Sequence, residues 1–501
     1  MGGLRRVLVA NRGEIAVRIV RACADAGIES VVAVSEADRA SRAALVADRA
    51  VCIGPAPATD SYLDVPRVVA AALATGCDAV HPGYGFLAER PELARACAEH
   101  GLTFVGPPAD VIARGGDKAV ARELAAECAR VGLTFVGPPA DVIRRGGSKI
   151  GARALARSIG VPVGEGSDRA ATPADAAAAA ARIGYPVLLK ASAGGGGRGM
   201  VRVDSPEGLP DAFTSASREA EAAFGDGTLF VERWIGNARH VEVQILADTH
   251  GSVLHLGERD CSAQRRFQKI VEEAPASALP ESLRADICAA ATRLATALEY
   301  VGAGTVEFLV DVDRGDFSFL EVNTRVQVEH PVTEMVTGVD IVREQLRIAA
   351  GLPLSITQDE VRLTGHAIEC RLNAEAVTTD HTGAAIFLPT PGRIERWTMP
   401  EGAGVRVDTH CFDGWTVVPH YDSMIAKLIC WGGDRPEALR RMDRALAHVA
   451  VEGVATTAGI ARDLVRHGDF RANRINTRWI EDRFLPQWRT NRGEEHGVQV
   501  G

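Results

Sequence analysis

The sequence has no CxxC pair and no cysteine/histidine cluster of zinc-finger spacing. Its cysteines (Cys23, Cys52, Cys77, Cys97, Cys128, Cys261, Cys288, Cys370, Cys411 and Cys430) are scattered along 501 residues. That spacing excludes a dithiol redox site and a zinc ribbon, and it predicts reduced, mostly buried thiols. A long apolar run is missing too. The opening MGGLRRVLVANRGEIAVRIV is too broken by charge for a secretory signal or a membrane span, and Arg6 stands where a myristoylation signal carries Ser or Thr. The expectation is a cytoplasmic protein without a membrane partner. Basic residues are not in excess, at 56 Lys and Arg against 65 Asp and Glu. No nucleic-acid partner is expected, because such a surface needs a cationic stripe to displace counterions. GxxxxGK[ST] is absent as well, which excludes a P-loop.

What is present is a globular composition, 46% hydrophobic, long enough for two to four domains that need no disulfide or metal staple. The first segment alternates β-branched runs with helical patterns: Val7 to Ala10, a helix from about Gly13 to Gly27, then Val31 to Val34. That alternation predicts a parallel sheet covered by helices. HPGYGFL (His81–Leu87) reads as a tight glycine turn at a strand end, either a ligand loop or a structural turn. One piece is repeated: Glu92–Lys118 recurs as Glu123–Lys149, identical at 21 of 27 positions with an offset of 31. Two copies are too few for a solenoid, so the repeat reads as a tandem duplication of one helix–strand–helix unit. An alanine-rich helix (Ala174–Ile183) follows, and then the strand YPVLLKAS, a glycine run from Gly194 to Gly199, and a returning strand MVRVDS. The chain divides at 1–148, 149–235 and 236–484, with a polar tail at 485–501 expected to be disordered.

Three constellations carry chemistry. Gly194, Gly196 and Gly199 satisfy GxGxxG, but a strand follows where a dinucleotide fingerprint needs a helix. What remains is a glycine hairpin preceded by Lys190, suited to fold over phosphates. In Gly304–His330, Glu307 and Glu321 sit on opposite arms of a hairpin turned by DRGDF, so their carboxylates can converge, with Asn323 on the same face as Glu321. Two carboxylates and an amide oxygen suit magnesium. The alternation runs on through Arg325, Gln327 and Glu329, with Val322, Val326 and Val328 turned away, as in a strand with one polar face. The third is ERDCSAQRRFQKIVEEAP (Glu258–Pro275), dense in charge and readable as a solvated helix or an interface; beside a phosphate site, Lys269 becomes an anion holder. His240 alternates with Glu242 and Gln244, and a lone histidine on a strand is more often structural than a ligand.

HPGYGFL, KASAGGGGRGM, ERDCSAQRRFQKIVEEAP, EVNTRVQVEHPVTEM, GHAIECRLNAE and YDSMIAKL occur in this order, and from about Leu4 to Phe484 the chain resembles the biotin carboxylase subunits of acetyl-CoA carboxylase, in the ATP-grasp superfamily. The resemblance implies an α/β fold: a Rossmann-like N-terminal domain, a lid carrying the glycine loop, and a large α+β C-terminal domain. It implies a ligase of fatty acid biosynthesis that activates bicarbonate with ATP and magnesium (or manganese) as carboxyphosphate and carboxylates biotin on a partner. The implied partners are a biotin carboxyl carrier protein, a carboxyltransferase and a second copy of the chain. By motif, Lys190, Gly196 and Gly197 would meet ATP phosphates, Glu232, Arg233, Trp234 and Ile235 the adenine, with His240 and Gln264 near the nucleotide. Glu307, Glu321 and Asn323 would hold the metal. Lys269, Arg325, Gln327 and Val328 would hold bicarbonate, Glu329 would deprotonate it, and Arg371 would stabilise the biotin enolate. Competing readings are a catalytically impaired carrier-binding subunit and another ATP-grasp ligase.

Three features depart from the family. Phe267 stands where many relatives have histidine, and the stretch after Glu375, AVTTDHTGAAIFLPTPG, is longer than the usual loop. The third is the duplication, which offers both Lys118 and Lys149 for one nucleotide-contacting lysine. Removing one unit leaves 501 − 31 = 470 residues, the length that fits a stand-alone member. Lys149 connects directly to the lid, whereas Lys118 keeps the preceding Asp117 of the family turn. Lys149→Ala is expected to weaken ATP affinity and Lys118→Ala to leave it near normal; equal, negligible effects in an equilibrium nucleotide-binding assay would reject both lysines.

Overall fold

The short apolar runs become a five-stranded parallel sheet in the order β3-β2-β1-β4-β5: β1 (Arg6–Val9), β2 (Glu29–Ser35), β3 (Arg49–Gly54), β4 (Ala79–His81) and β5 (Thr103–Phe104). Val7, Leu8 and Val9 are all buried, because helices cover both faces and the strand cannot alternate. Helix α1 (Gly13–Asp25) packs Ile15, Ile19 and Val20 into this core. It ends two residues short of the expected Gly27, which takes a left-handed φ of 68° and turns the chain out of the helix. Gly83 and Gly85, with φ of 62° and 67°, bend the His81–Leu87 turn back over the start of α1. There the Asn11 amide donates to the carbonyls of Pro82 and Tyr84, both at 2.7 Å.

The computed structural model describes residues 3–116, 156–164, 166–167, 170–191, 200–224, 227–379 and 384–488. Lys118, Gly196 and Gly197, the whole second repeat copy with Lys149, and the tail from 489 lie outside the described residues. The chain is already helical at 485–488, where a disordered tail was expected to begin: Leu485 is buried, and Trp488 donates to Asp463 at 2.7 Å. An indole with a packed face and a satisfied N–H fixes that turn despite its polar neighbours.

The smaller unit is a three-stranded antiparallel sheet in the order β7-β6-β8, from β6 (Val187–Ala191), β7 (Met200–Val203) and β8 (Leu229–Arg233). The helix Pro173–Ile183 lies against it, started by a capping box between Thr172 and Asp175 and by proline in its first turn. Its alanines let it sit close on Val187, Leu189 and Leu229.

An eight-stranded sheet carries the rest: β9 (Ala238–Ala247), β10 (Val253–Arg265), β11 (Gln268–Ala274), β12 (Gly302–Asp311), β13 (Asp316–Asn323) and β14 (His366–Asn373) in the order β13-β12-β9-β10-β11-β14, then strands Met424–Gly432 and Val405–Thr409. All its pairings are antiparallel. The charged stretch Glu258–Pro275 is thus the hairpin of β10 and β11, not a solvated helix, and Arg259, Glu272 and Glu273 are buried. The polar row from Glu321 is a strand only to Asn323; beyond it irregular backbone carries Arg325, Gln327 and Glu329 to the helix His330–Thr337. The long stretch after Glu375 makes a separate hairpin of β15 (Glu375–Thr379) and β16 (Ala385–Pro389). No helix among the described residues is long and apolar enough to cross a membrane.

One face of β12 is apolar. Phe308 is fully buried, edge-on to Phe317 and Phe319 of β13, and lies in the core formed with the helix Glu281–Ala297. Phe308→Ala would leave a cavity costing about 3–5 kcal/mol. Because Glu307 is its neighbour, we expect calorimetry to show a lowered melting temperature and isothermal titration to show weakened nucleotide binding.

Candidate active site

A cleft of about 1030 Å³ runs between the three units, lined by β6 and β8, by β9 to β13, by Arg371 and by the His81–Leu87 turn. Its polar wall follows from register. In β9 every residue is buried, yet His240, Glu242 and Gln244 alternate along one face. Glu242 pairs with Glu307 across β9 and β12, and Glu307 with Glu321 across β12 and β13. Glu242 and Glu307, buried opposite one another, would repel unless a cation entered.

That cation is Lys269, from β11. Its Nζ donates to Glu242 and to Glu329 at 2.5 Å each and to Glu307 at 3.1 Å. Burial opposes the charge, but the three carboxylates outweigh it and hold the ammonium well above the ordinary lysine range. The converse holds for the acids. Burial would raise Glu307 and Glu329; Lys269 and His240 keep the first far below the carboxylate range, and Lys269, Arg371 and Arg259 do the same for the second.

Around this centre each partner is fixed. Glu307 accepts from His240 at 2.9 Å, from Gln327 at 2.8 Å and from Asn323 at 3.0 Å. Arg325 donates to Asn323 at 3.3 Å and pairs with Glu89 at 3.2 Å. Arg371 reaches Glu329 from the other side at 3.0 Å. Lys190 pairs with Glu232, and the Arg233 guanidinium is taken up by Asp311 at 2.6 Å. Trp234 lines the cleft with Arg202 and Arg478 over its ring, and Ile235, Val328 and Gln264 line it too; Gln264 faces Lys269 across the β10–β11 hairpin. Phe267 is more than half exposed at the tip of that hairpin and touches the cleft mouth.

The described residues named from the sequence therefore line one cavity. Glu321 faces Glu307 in register, while the ligand atoms lying within 4.8 Å of one another are those of His240, Glu242 and Glu307 and of Glu242, Cys261 and Glu329. The oxygens of Glu307, Glu321 and Asn323 fit a hard divalent cation in chemistry.

Sequence reasoning missed the support. Arg259, wholly buried, donates to Glu242 at 2.6 Å, Gln244 at 2.8 Å, Thr333 at 2.9 Å and Gln327 at 3.0 Å. Lys427, also wholly buried, donates to the carbonyl of Val328 at 2.8 Å and pairs with Glu14 at 3.0 Å. Glu14 in turn accepts from Tyr84. The one available signal was the lysine inside YDSMIAKL, where an apolar strand gives a charge no reason to be.

Removing Lys269 tests the electrostatic reading. The depressed carboxylates contribute stability above their ordinary range near 4.5, and that contribution is lost as pH falls through their folded values. The raised lysine contributes throughout the range below about 10.5. In Lys269→Met the acids lose the one cation they share at neutral pH, at a cost of about 3–5 kcal/mol. The difference in urea midpoint between variant and parent should be widest near neutrality and shrink toward pH 4; a difference constant with pH would refute this account.

Comparison with known proteins agrees with the geometry. Family models match residues 3–112 as biotin carboxylase, N-terminal domain, 148–357 as carbamoyl-phosphate synthase L chain, ATP binding domain, and 369–482 as biotin carboxylase C-terminal domain. The chain is 45% identical over 483 residues to a biotin carboxylase of Haemophilus influenzae, covering 96% of this chain and 99% of that one. Among solved structures, a biotin carboxylase–β-γ-ATP complex from Campylobacter jejuni superposes with a TM-score of 0.84 at 40% identity, over 95% of this chain and 98% of that one. The biotin carboxylase domain dimer of Hydrogenobacter thermophilus 2-oxoglutarate carboxylase, with MgADP, ADP and bicarbonate, gives 0.83 at 42%, over 96% and 98%. The chain belongs to the biotin carboxylase family of ATP-dependent ligases.

Proposed function

We propose that this chain catalyses the first half-reaction of a biotin-dependent acyl-CoA carboxylase, with acetyl-CoA carboxylase as the specific assembly. In this reading ATP and bicarbonate give ADP and carboxyphosphate, and the carboxyl group then passes to a ureido nitrogen of biotin. The observation that carries it is the placement of Glu329 between Lys269 and Arg371: a base flanked by one cation suited to bicarbonate and another suited to biotin.

Glu329 takes the bicarbonate proton, and the freed oxygen attacks the γ-phosphorus as ADP leaves. Paired with Lys269 and Arg371, Glu329 is a weak base, and its basicity recovers as Lys269 turns to the bound anion, which Arg325 also holds. Val328 and Gln327 complete the bicarbonate seat. Lys190 meets the phosphates in exchange for its partner Glu232, beneath the glycine loop with Gly196 and Gly197, and Lys149 supplies a further contact. Glu307, Glu321 and Asn323 would hold magnesium or manganese, which neutralises charge on the transferring phosphoryl group. Fixed cations around such charge are the largest catalytic contribution expected here.

Biotin is read as arriving on a carrier protein, with a carboxyltransferase as the next partner, as the family resemblance implies. The related Hydrogenobacter domain is described as a dimer, which supports a homodimer here. The same relative serves a 2-oxoglutarate carboxylase, so the choice of acetyl-CoA rests on the sequence resemblance. Glu329→Gln is expected to abolish bicarbonate-dependent ATP cleavage while nucleotide binding persists; near-normal ADP release in a coupled assay would sink the assignment.

A further inference from the structure

Behind Glu329 lies a second layer of carboxylates that no step above uses. β11 and β14 run antiparallel with Glu272 opposite Glu369, and Arg371 follows two residues after Glu369 on the same face. The guanidinium is held at both ends. Its Nε donates to Glu272 Oε1 at 2.6 Å, and its Nη2 lies 2.6 Å from the same oxygen and 3.0 Å from Glu329 Oε2. Glu272 and Glu369 are both fully buried. Glu272 Oε2 and both oxygens of Glu369 have no hydrogen-bond partner among the described residues.

Two buried carboxylates opposite one another in register, with unused oxygens, cannot both ionise cheaply. Burial, with Glu329 adding to it, pushes Glu272 up to about 7 against the pull of Arg371. Burial pushes Glu369 well above the carboxylate range, against Lys427 and with Glu272 adding. Glu369, whose oxygens have no partner among the described residues, is the more strongly raised of the two, and Glu272 keeps its hydrogen bond from Arg371.

We propose that Glu272, backed by Glu369, is the positioning residue that holds Arg371 in place for the biotin half of the reaction. This rests on the reading of Arg371 given above. When Glu329 takes up a proton it loses its charge, and its hold on Nη2 weakens. Glu272 still anchors Nε, so the guanidinium stays in place while Nη2 becomes available to a developing oxyanion. Without Glu272 the arginine is tethered only to the group whose charge changes during turnover.

The test is steady-state kinetics of the full-length enzyme with free biotin, varying biotin, ATP and bicarbonate in turn. Glu272→Gln replaces a charge-assisted bond by a neutral one and should raise the KM for biotin about tenfold or more, well beyond any change in the KM for ATP or bicarbonate. Against an Arg371→Lys background the same substitution should add little, because its effect passes through Arg371. A uniform rise in all three constants, or full additivity with Arg371→Lys, would show a merely structural role and overturn the proposal. If Glu272→Gln does not fold, Glu272→Asp carries the same test, since it keeps the charge but withdraws it by one methylene. A parent enzyme that releases no ADP in response to bicarbonate and biotin defeats the functional reading itself, and the positioning role falls with it. An active parent with an unaltered biotin KM in the variant defeats the positioning role alone.

Discussion

One ammonium group organises the molecule's interior. Lys269 enters from β11 at a point where Glu242, Glu307 and Glu329 converge from β9, β12 and a loop. Without it those carboxylates would force the sheet apart or take up protons; with it, three segments far apart in the chain share one charge balance. The surrounding geometry follows. Gln327 and Asn323 lock onto Glu307, Arg259 steadies Glu242 from behind, and Arg371 takes the free side of Glu329. An ion cluster of this kind adds little net stability, since desolvation consumes most of the Coulomb attraction. It holds the site in a single arrangement.

A second buried lysine ties that arrangement to the rest of the fold. Lys427 meets the Val328 carbonyl on one side and Glu14 of α1 on the other, with Asp408 at 3.9 Å. The parallel sheet thus contributes to the active-site wall through the first turn of its first helix. Tyr84, from the glycine turn, closes the same circuit on Glu14. The loop carrying Glu329 is irregular backbone, yet it is held as firmly as a strand because its carbonyls and carboxylates have buried partners.

Some of this was legible in the sequence for definite reasons. The convergence of Glu307 and Glu321 follows from a hairpin whose turn residues mark its centre, and the period of two carries Asn323 to the same face. The lid strands were legible from the apolar run before the glycines and the short alternating run after them. Alternation beyond Asn323 misled, since a polar period of two occurs equally in a loop that lines a cleft. Arg259 and Glu272 were out of reach for another reason. A run of charges reads as solvated unless strand order is known, and β11 meets β14 across nearly a hundred residues with no local mark of that pairing. The helical turn at 485–488 depends on Trp488 finding Asp463, a contact that polarity alone does not announce.

The fully buried strand β9 has a consequence for how such a chain can change length. His240, Glu242 and Gln244 face charges on one side, while Val241, Val243 and Ile245 fill the apolar core on the other. A single inserted residue would exchange the two sets, placing a histidine and a carboxylate in hydrocarbon and three aliphatic groups against ion pairs. β12 is bound to the same parity, since it is registered to β9 along its whole length. An insertion within β9 is therefore costly, whereas β10 and β13 each take up an extra residue at a bulge, between His255 and Glu258 and between Phe319 and Glu321. The second copy of the tandem repeat, residues 123–149, precedes β6 to β14 in the sequence.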